Sequence, residues 1–382
     1  MADFDLVREK ARNGALLARS HASLAAARGL VALDVARGRR VGAVPTGVRA
    51  EPADLRPSGV LVAVAHWRSP SSAPASEDFP QGAGDESGRA SLLAECIESL
   101  LGLDADRVLV AVLTNEPRQA ARHLSAHFAG TSNPTAVSTL ANDRSLRGAG
   151  TDGNRVVTIG WRPTLRWRHG FYLTWAHKAL FGQALSDPGF SHFVYLEDDL
   201  RFTRESLAYW CRFREPLALF GLLPGFVRYE VFNGDRYVVD QARRQNLYRP
   251  SVVLSASESG RTSGPDLRFV NLDNPYQGMY VLDRGLAIDH LRNSPARSPL
   301  RSRTESPVPP WEQLVRERAA MGPIFDNVPS GFISRNVVPV LDLGPEEQCL
   351  EPSCLVEHVS GNYAPSPDRR YGKIRVEDLF AP

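Results

Sequence analysis

Residues 192–200 read His192-Phe193-Val194-Tyr195-Leu196-Glu197-Asp198-Asp199-Leu200, an apolar run that ends abruptly in three carboxylates. Such a run reads as a strand buried on both faces, the kind found in a parallel sheet covered by helices. Side chains alternate along a strand, so Glu197 and Asp199 are expected on one side of its exit and Asp198 on the other. Three adjacent negative charges repel one another, and a divalent cation that prefers oxygen ligands, Mg²⁺ or Mn²⁺, is their natural compensating partner. A cation held by only one or two carboxylates completes its shell with water and substrate phosphates. An isolated Glu-Asp-Asp reads as a solvated turn; its place after a buried strand favours the cation.

The same grammar extends upstream. GVLVAVAHW (59–67), a helical RASLLAECIESLLG (89–102) and RVLVAVLTN (107–115) read as β, α, β. RVVTIGW (155–161) and a helical stretch over 163–185 then lead into the acidic strand. Strands alternating with helices predict an α/β protein with a Rossmann-type, mostly parallel central sheet flanked by helices, with ligands beyond the carboxyl ends of its strands. Downstream, VRYEVFNGDRYVVD (227–240) places Asn233-Gly234 between two alternating stretches, a hairpin signal. RFVNL (268–272) and GMYVLD (278–283) add strands to an antiparallel β region in the second half. Segments 69–89, 129–154 and 293–310 are rich in Ser, Pro and Gly and read as loops.

Residues 1–57 read as a helical N-terminal extension. Leu6, Leu16, Leu17, Leu24 and Leu30 alternate with Arg8, Arg12, Arg19 and Arg28, an amphipathic pattern that suits packing on the protein's own body, a partner or peripheral contact with a membrane. The 382 residues carry 45 basic and 43 acidic side chains, and a formal charge of +2 excludes the broad electropositive surface of a non-specific nucleic-acid binder. The 4 cysteines lack the paired spacing of a zinc site and are too few for a disulfide scaffold. With no long apolar run and an acidic start, MADFDLVREK, the expectation is a soluble, cytoplasmic protein.

The order of elements and the motif YLEDD (195–199) resemble the nucleotide-sugar glycosyltransferases of the GT-A fold. In that family an acidic DxD-type motif after a strand binds a metal that bridges the donor's diphosphate. The resemblance covers roughly 58–365, a nucleotide-sugar-binding half (58–202) and an acceptor-binding half (203–365), and leaves 366–382 as a C-terminal tail. It implies metal-dependent transfer of a sugar from a nucleoside-diphosphate sugar to an acceptor hydroxyl. Asp199 would be the principal ligand of Mn²⁺ or Mg²⁺, and Asp198 a direct or supporting one. Glu197, standing where the family has its first Asp, would contact the donor's ribose or sugar. His358, in CLVEHVSGNYAP (354–365), looks like the late His that the family often supplies to the same metal. His66 and Asn115 follow the first two strands, similar in position to nucleoside-binding loops, while Arg168 and Lys178 precede the acidic strand, where basic side chains meet a diphosphate. An inverting transfer needs a carboxylate to deprotonate the acceptor, and Glu317 or Asp326 would serve.

Rival chemistries leave traces that this sequence lacks. A haloacid-type phosphatase needs a nucleophilic Asp where Glu197 stands, and a palm-domain polymerase needs a basic channel. A sugar nucleotidyltransferase shares the fold, yet its Gly-rich basic loop is absent from AVAHWRSPSS (63–72). A non-catalytic sugar- or partner-binding module of the same fold is the remaining alternative.

Overall fold

The computed structural model describes residues 56–66, 86–129, 136–139, 155–159, 173–245, 250–255, 258, 266–293, 315–344, 347–367 and 370–380. The helical extension expected over 1–57, apart from Arg56 and Pro57, lies outside these residues, as does Arg168.

A six-stranded mixed sheet forms the centre. β1 (Gly59–His66), β2 (Arg107–Thr114), β3 (Ala136–Thr139), β4 (Arg155–Ile159) and β5 (His192–Glu197) are joined by parallel pairings. β12 (Met279–Asp283) pairs antiparallel with β5 at one edge, giving the order β12-β5-β1-β2-β4-β3. All eight residues of β1 are buried, as the unbroken apolar run requires of a strand covered on both faces. Two expectations change here. The stretch 129–154, read as loop, contributes β3, whose hydrogen-bonding partner is β4. GMYVLD, assigned to the antiparallel second half, joins the first sheet instead, because all five residues of β12 are buried and it supplies the apolar edge that β5 needs.

Helices cover both faces. α1 (Glu86–Leu101) and α2 (Pro117–Ala129) pack beside β2, while α3 (Ala176–Ala184) packs on β1. α3 sets His177 and Phe181 against Tyr195 and Phe193, so it covers the face of β5 that carries the odd-numbered residues. Within the helical stretch expected over 163–185, the described helix is α3, and 163–172 lie outside the described residues. α4 (Arg204–Ala218) begins at a reciprocal Thr203–Ser206 capping box. α5 (Arg284–Asn293) follows β12 directly, and α6 (Val315–Ala320) packs near β5.

The second half does contain antiparallel pairing, in two further mixed sheets. One is built from β10 (Ser251–Leu254), β11 (Leu267–Val270), β13 (Asn336–Gly344) and β14 (Glu347–Leu350), with β7 (Leu223–Pro224) beside β13. The other has the order β16-β9-β8-β15-β6, from β6 (Leu200–Arg201), β8 (Val227–Phe232), β9 (Asp235–Val238), β15 (Leu355–His358) and β16 (Ile374–Arg375). The β8–β9 hairpin turns at Asn233 and Gly234, both with positive φ, 52° and 85°, as the Asn-Gly signal predicts. Within 366–382, read as a tail, β16 pairs with β9, and Val376, Leu379 and Phe380 are buried. Among the described residues no helix is long and apolar enough to cross a membrane.

Candidate functional site

The carboxylates occupy the passage from the first sheet to the last. β5 ends at Glu197, Asp198 and Asp199 form a turn, and β6 starts at Leu200. β6 then pairs antiparallel with β15, placing His358 opposite Leu200, and the Asp199 carbonyl accepts from the Val359 N–H at 2.9 Å. A motif at 197–199 and a histidine near the chain's end thus become neighbours.

The three carboxylates take three different environments. Asp198 pairs with Nδ1 of His66, the last residue of β1, which lies level with it and on the same face of the sheet. Asp199 sets Oδ2 3.1 Å from His358 Nε2, and its buried Oδ1 has no hydrogen-bond partner among the described residues. Burial works against the charge on Asp199, but the charge and hydrogen bond of His358 prevail and hold the carboxyl well below the usual range. Burial likewise disfavours charge on His358. The Asp199 charge, with hydrogen bonds from the ring to Asp199 and Glu230, overrides it and lifts the imidazole to about 9.

Glu197 is committed to protein partners. Its Oε1 accepts from the Tyr276 hydroxyl at 2.6 Å and its Oε2 lies 3.3 Å from Arg228 Nη1. Burial raises Glu197 to about 7 against the opposing pull of Arg228. Gly278 has φ +62°, and a Cβ there would lie 2.7 Å from Glu197 Oε2 and 2.8 Å from Arg228 Nη1, so glycine keeps this contact open. Arg228, 3% exposed at its side chain, also grips Asp240 in a two-point pair, Nε to Oδ2 at 2.8 Å and Nη2 to Oδ1 at 2.7 Å. Glu197 thereby ties β5 to β8.

The other sequence candidates separate into two groups. Glu317, on α6, is close enough to Glu197, Tyr195 and Tyr276 for its charge to act on each. Asn115 follows β2 at the same carboxyl-end level as His66, which registers with Thr114. Lys178 and Asp326 instead meet at His290. Lys178 is fully buried with Nζ 3.3 Å from His290 Nε2, and His290 Nδ1 lies 2.6 Å from Asp326 Oδ2. A lysine at zero exposure does not meet a diphosphate, and that expectation is corrected; Asp326 is engaged by His290 through Oδ2. The set Asp198, Asp199 and His358 also divides, since Asp198 takes His66. Among the described residues no three His, Cys, Asp or Glu side chains gather as a ready-made metal cage.

Arg228, Glu230 and Asp240 escaped the sequence reading. The alternation of VRYEVF suggests Arg228 and Glu230 on a solvent face, whereas they are 4% and 0% exposed and Val231 is 53% exposed. Two opposite charges two residues apart in a strand were the one available signal. Compared with protein-family models and with curated proteins, the chain matches none at a significant level.

Proposed function

We propose that the chain is a metal-dependent glycosyltransferase of the GT-A type, which transfers a sugar from a nucleoside-diphosphate sugar to an acceptor hydroxyl. The observation that carries this reading is the Asp199–His358 pair at the carboxyl end of β5, beside parallel strands, with a buried carboxylate oxygen that has no described partner. One carboxylate and one imidazole suit Mn²⁺ or Mg²⁺ whose remaining ligands come from a diphosphate and water. When bound, that cation would offset negative charge developing on the departing nucleoside diphosphate. It also accounts for why two ligands suffice, where a structural metal site would need a fuller cage.

The chain's own residues would divide the work. Asp199 and His358 Nε2 would hold the cation. His66 fixes Asp198 at the end of β1, and Asn115 follows β2 at the same carboxyl end of the sheet, the end at which sheets of this kind bind ligands. Arg228 and Tyr276 would hold Glu197 in place beside Asp198 and Asp199. Glu317 is the better placed of the two base candidates, because it faces Glu197 and Tyr276 while Asp326 faces His290. Cys96, Cys211 and Cys354 are buried as thiols, the form that a reducing compartment such as the cytoplasm keeps.

The test is thermal unfolding of the purified chain with UDP, GDP, dTDP or CMP, with and without Mn²⁺. A ligand that binds only the folded protein raises the midpoint by mass action, by about 2.7 kcal/mol of stability at a hundred times its Kd. One nucleotide is expected to raise the midpoint only when Mn²⁺ is present, and Asp199→Asn to abolish that rise. Failure of all four nucleotides at millimolar concentration with Mn²⁺ would end the reading.

A further inference from the structure

The ring of His358 is held at both nitrogens. Nε2 faces Asp199, and Nδ1 lies 2.8 Å from Oε1 of Glu230, a carboxylate with zero exposure on β8. The register explains the meeting: β15 runs parallel to β8 with Leu355, Val356 and Glu357 opposite Val227, Arg228 and Tyr229, so His358 continues the series to Glu230. Glu230 has further bonds. Oε1 also accepts from the Asn362 N–H at 3.0 Å, and Oε2 from the N–H groups of Tyr363 and Ala364 at 2.9 and 2.7 Å. The segment thus gathered is clasped from its other side by Lys373, whose Nζ donates to the carbonyls of Tyr363, Ala364 and Ser366 at 3.1, 2.9 and 2.6 Å.

This arrangement exceeds what a strand pairing needs. Burying a carboxylate is costly unless donors surround it, and here the imidazole and three backbone N–H groups supply them. A carboxylate cannot donate, so its partner nitrogen on His358 must carry the proton. In the neutral ring this leaves the lone pair on Nε2, the atom facing Asp199. Carboxylates that accept from a ligating histidine in this way fix its tautomer and orientation in metal sites generally.

We propose that Glu230 is a positioning residue that holds His358 with Nε2 presented as a cation ligand beside Asp199, and that it ties this ligand to the 360–366 segment. The proposal rests on the metal reading above. Glu230→Gln keeps the shape but offers one acceptor oxygen to four donors. Either the amide nitrogen faces His358 and forces its proton onto Nε2, or it faces the Tyr363 and Ala364 N–H groups and loosens the segment.

The experiment is Mn²⁺ binding to the full chain, read from the electron paramagnetic resonance signal of free Mn²⁺ with no nucleotide or substrate. Wild-type protein should bind Mn²⁺, Asp199→Asn should not, and Glu230→Gln should bind about 10–100-fold more weakly. Wild-type binding with an unchanged affinity in a folded Glu230→Gln overturns the positioning role and leaves the metal reading standing. Absence of binding by the wild type removes both. Should Glu230→Gln not fold, nitrogen-15 spectra of histidine-labelled wild type loaded with Zn²⁺ decide the matter: a proton on Nδ1 of His358 supports the proposal, and a proton on Nε2 overturns it.

Discussion

Replacing Arg228 by methionine isolates a buried charge that serves two carboxylates. The guanidinium makes two short hydrogen bonds to Asp240, approaches Glu197 and stacks over the Tyr276 ring at 4.9 Å, with a side chain only 3% exposed. Methionine fills much of the same volume, so the loss is of charge and donors more than of packing. Removing one partner of a buried pair costs about 3–5 kcal/mol, mainly through the carboxylate left behind. Glu197 softens its share by taking up a proton, since burial already raises it to about 7 and Arg228 is what opposes the rise. Asp240, with a side chain 11% exposed, has less relief. Urea unfolding at pH 7.5 should therefore show a loss of about 3–5 kcal/mol, and the loss should shrink at pH 5.5, where Glu197 is protonated. The double variant Arg228→Met/Asp240→Leu should recover much of the stability, because it removes the Asp240 carboxylate that Arg228 leaves behind, and the remaining Glu197 can take up a proton. A loss below about 1 kcal/mol, or a double variant no better than the single one, would refute the view that Arg228 acts as a buried counter-ion.

Two further outcomes follow from the same geometry. Gly278→Ala puts a methyl group against Glu197 and Arg228 at a φ of +62°, and should cost about 1–3 kcal/mol in chemical unfolding while weakening Mn²⁺-dependent nucleotide binding; unchanged values for both would show that Glu197 is free to move. In the metal-free protein His358, raised from 6.5 to about 9, contributes stability that is fully present below pH 6.5 and lost as pH rises through 9. His358→Gln should remove that part of the alkaline slope between pH 6.5 and 9, and an identical slope in both proteins would contradict the ion pair.

The elements most visible in the sequence are those whose environment is uniform along the chain. β1, β2 and β5 are buried on both faces, so their side chains need no alternation and read as unbroken apolar runs. The turn at Asn233-Gly234 is equally legible, because positive φ restricts which residues can stand there. β3, by contrast, is Ala136-Val137-Ser138-Thr139 inside a stretch of loop-like composition, and it exists as a strand through its pairing with β4. Long-range pairing also explains why Lys178 was misread. A lysine one residue after a histidine on a helix looks solvent-facing until His290 and Asp326, more than 110 residues further on, provide its buried surroundings.

The candidate site divides along the same line. Alternation along β5 anticipates that Asp198 departs from Glu197 and Asp199. Asp198 turns to His66 on β1, while the Arg228 charge acts on the other two, although Asp198 and Asp199 already lie in the turn after β5. What alternation cannot convey is why charges on β8 point inward. The apolar residues of VRYEVF outnumber the charged ones, yet Val231 and Phe232 are the exposed members, because the inward positions are claimed by partners drawn from 197, 240, 358 and 362–364. Each of those partners is itself polar and makes a hydrogen bond or ion pair with Arg228 or Glu230. Arg228 and Glu230 are thus explained by the set of polar groups they satisfy, and that set is assembled only when β6 carries the chain out of the acidic turn to meet β15. The acidic motif is legible as chemistry because it is local; the shell that gives its members different roles is distributed over four segments and emerges only with the fold.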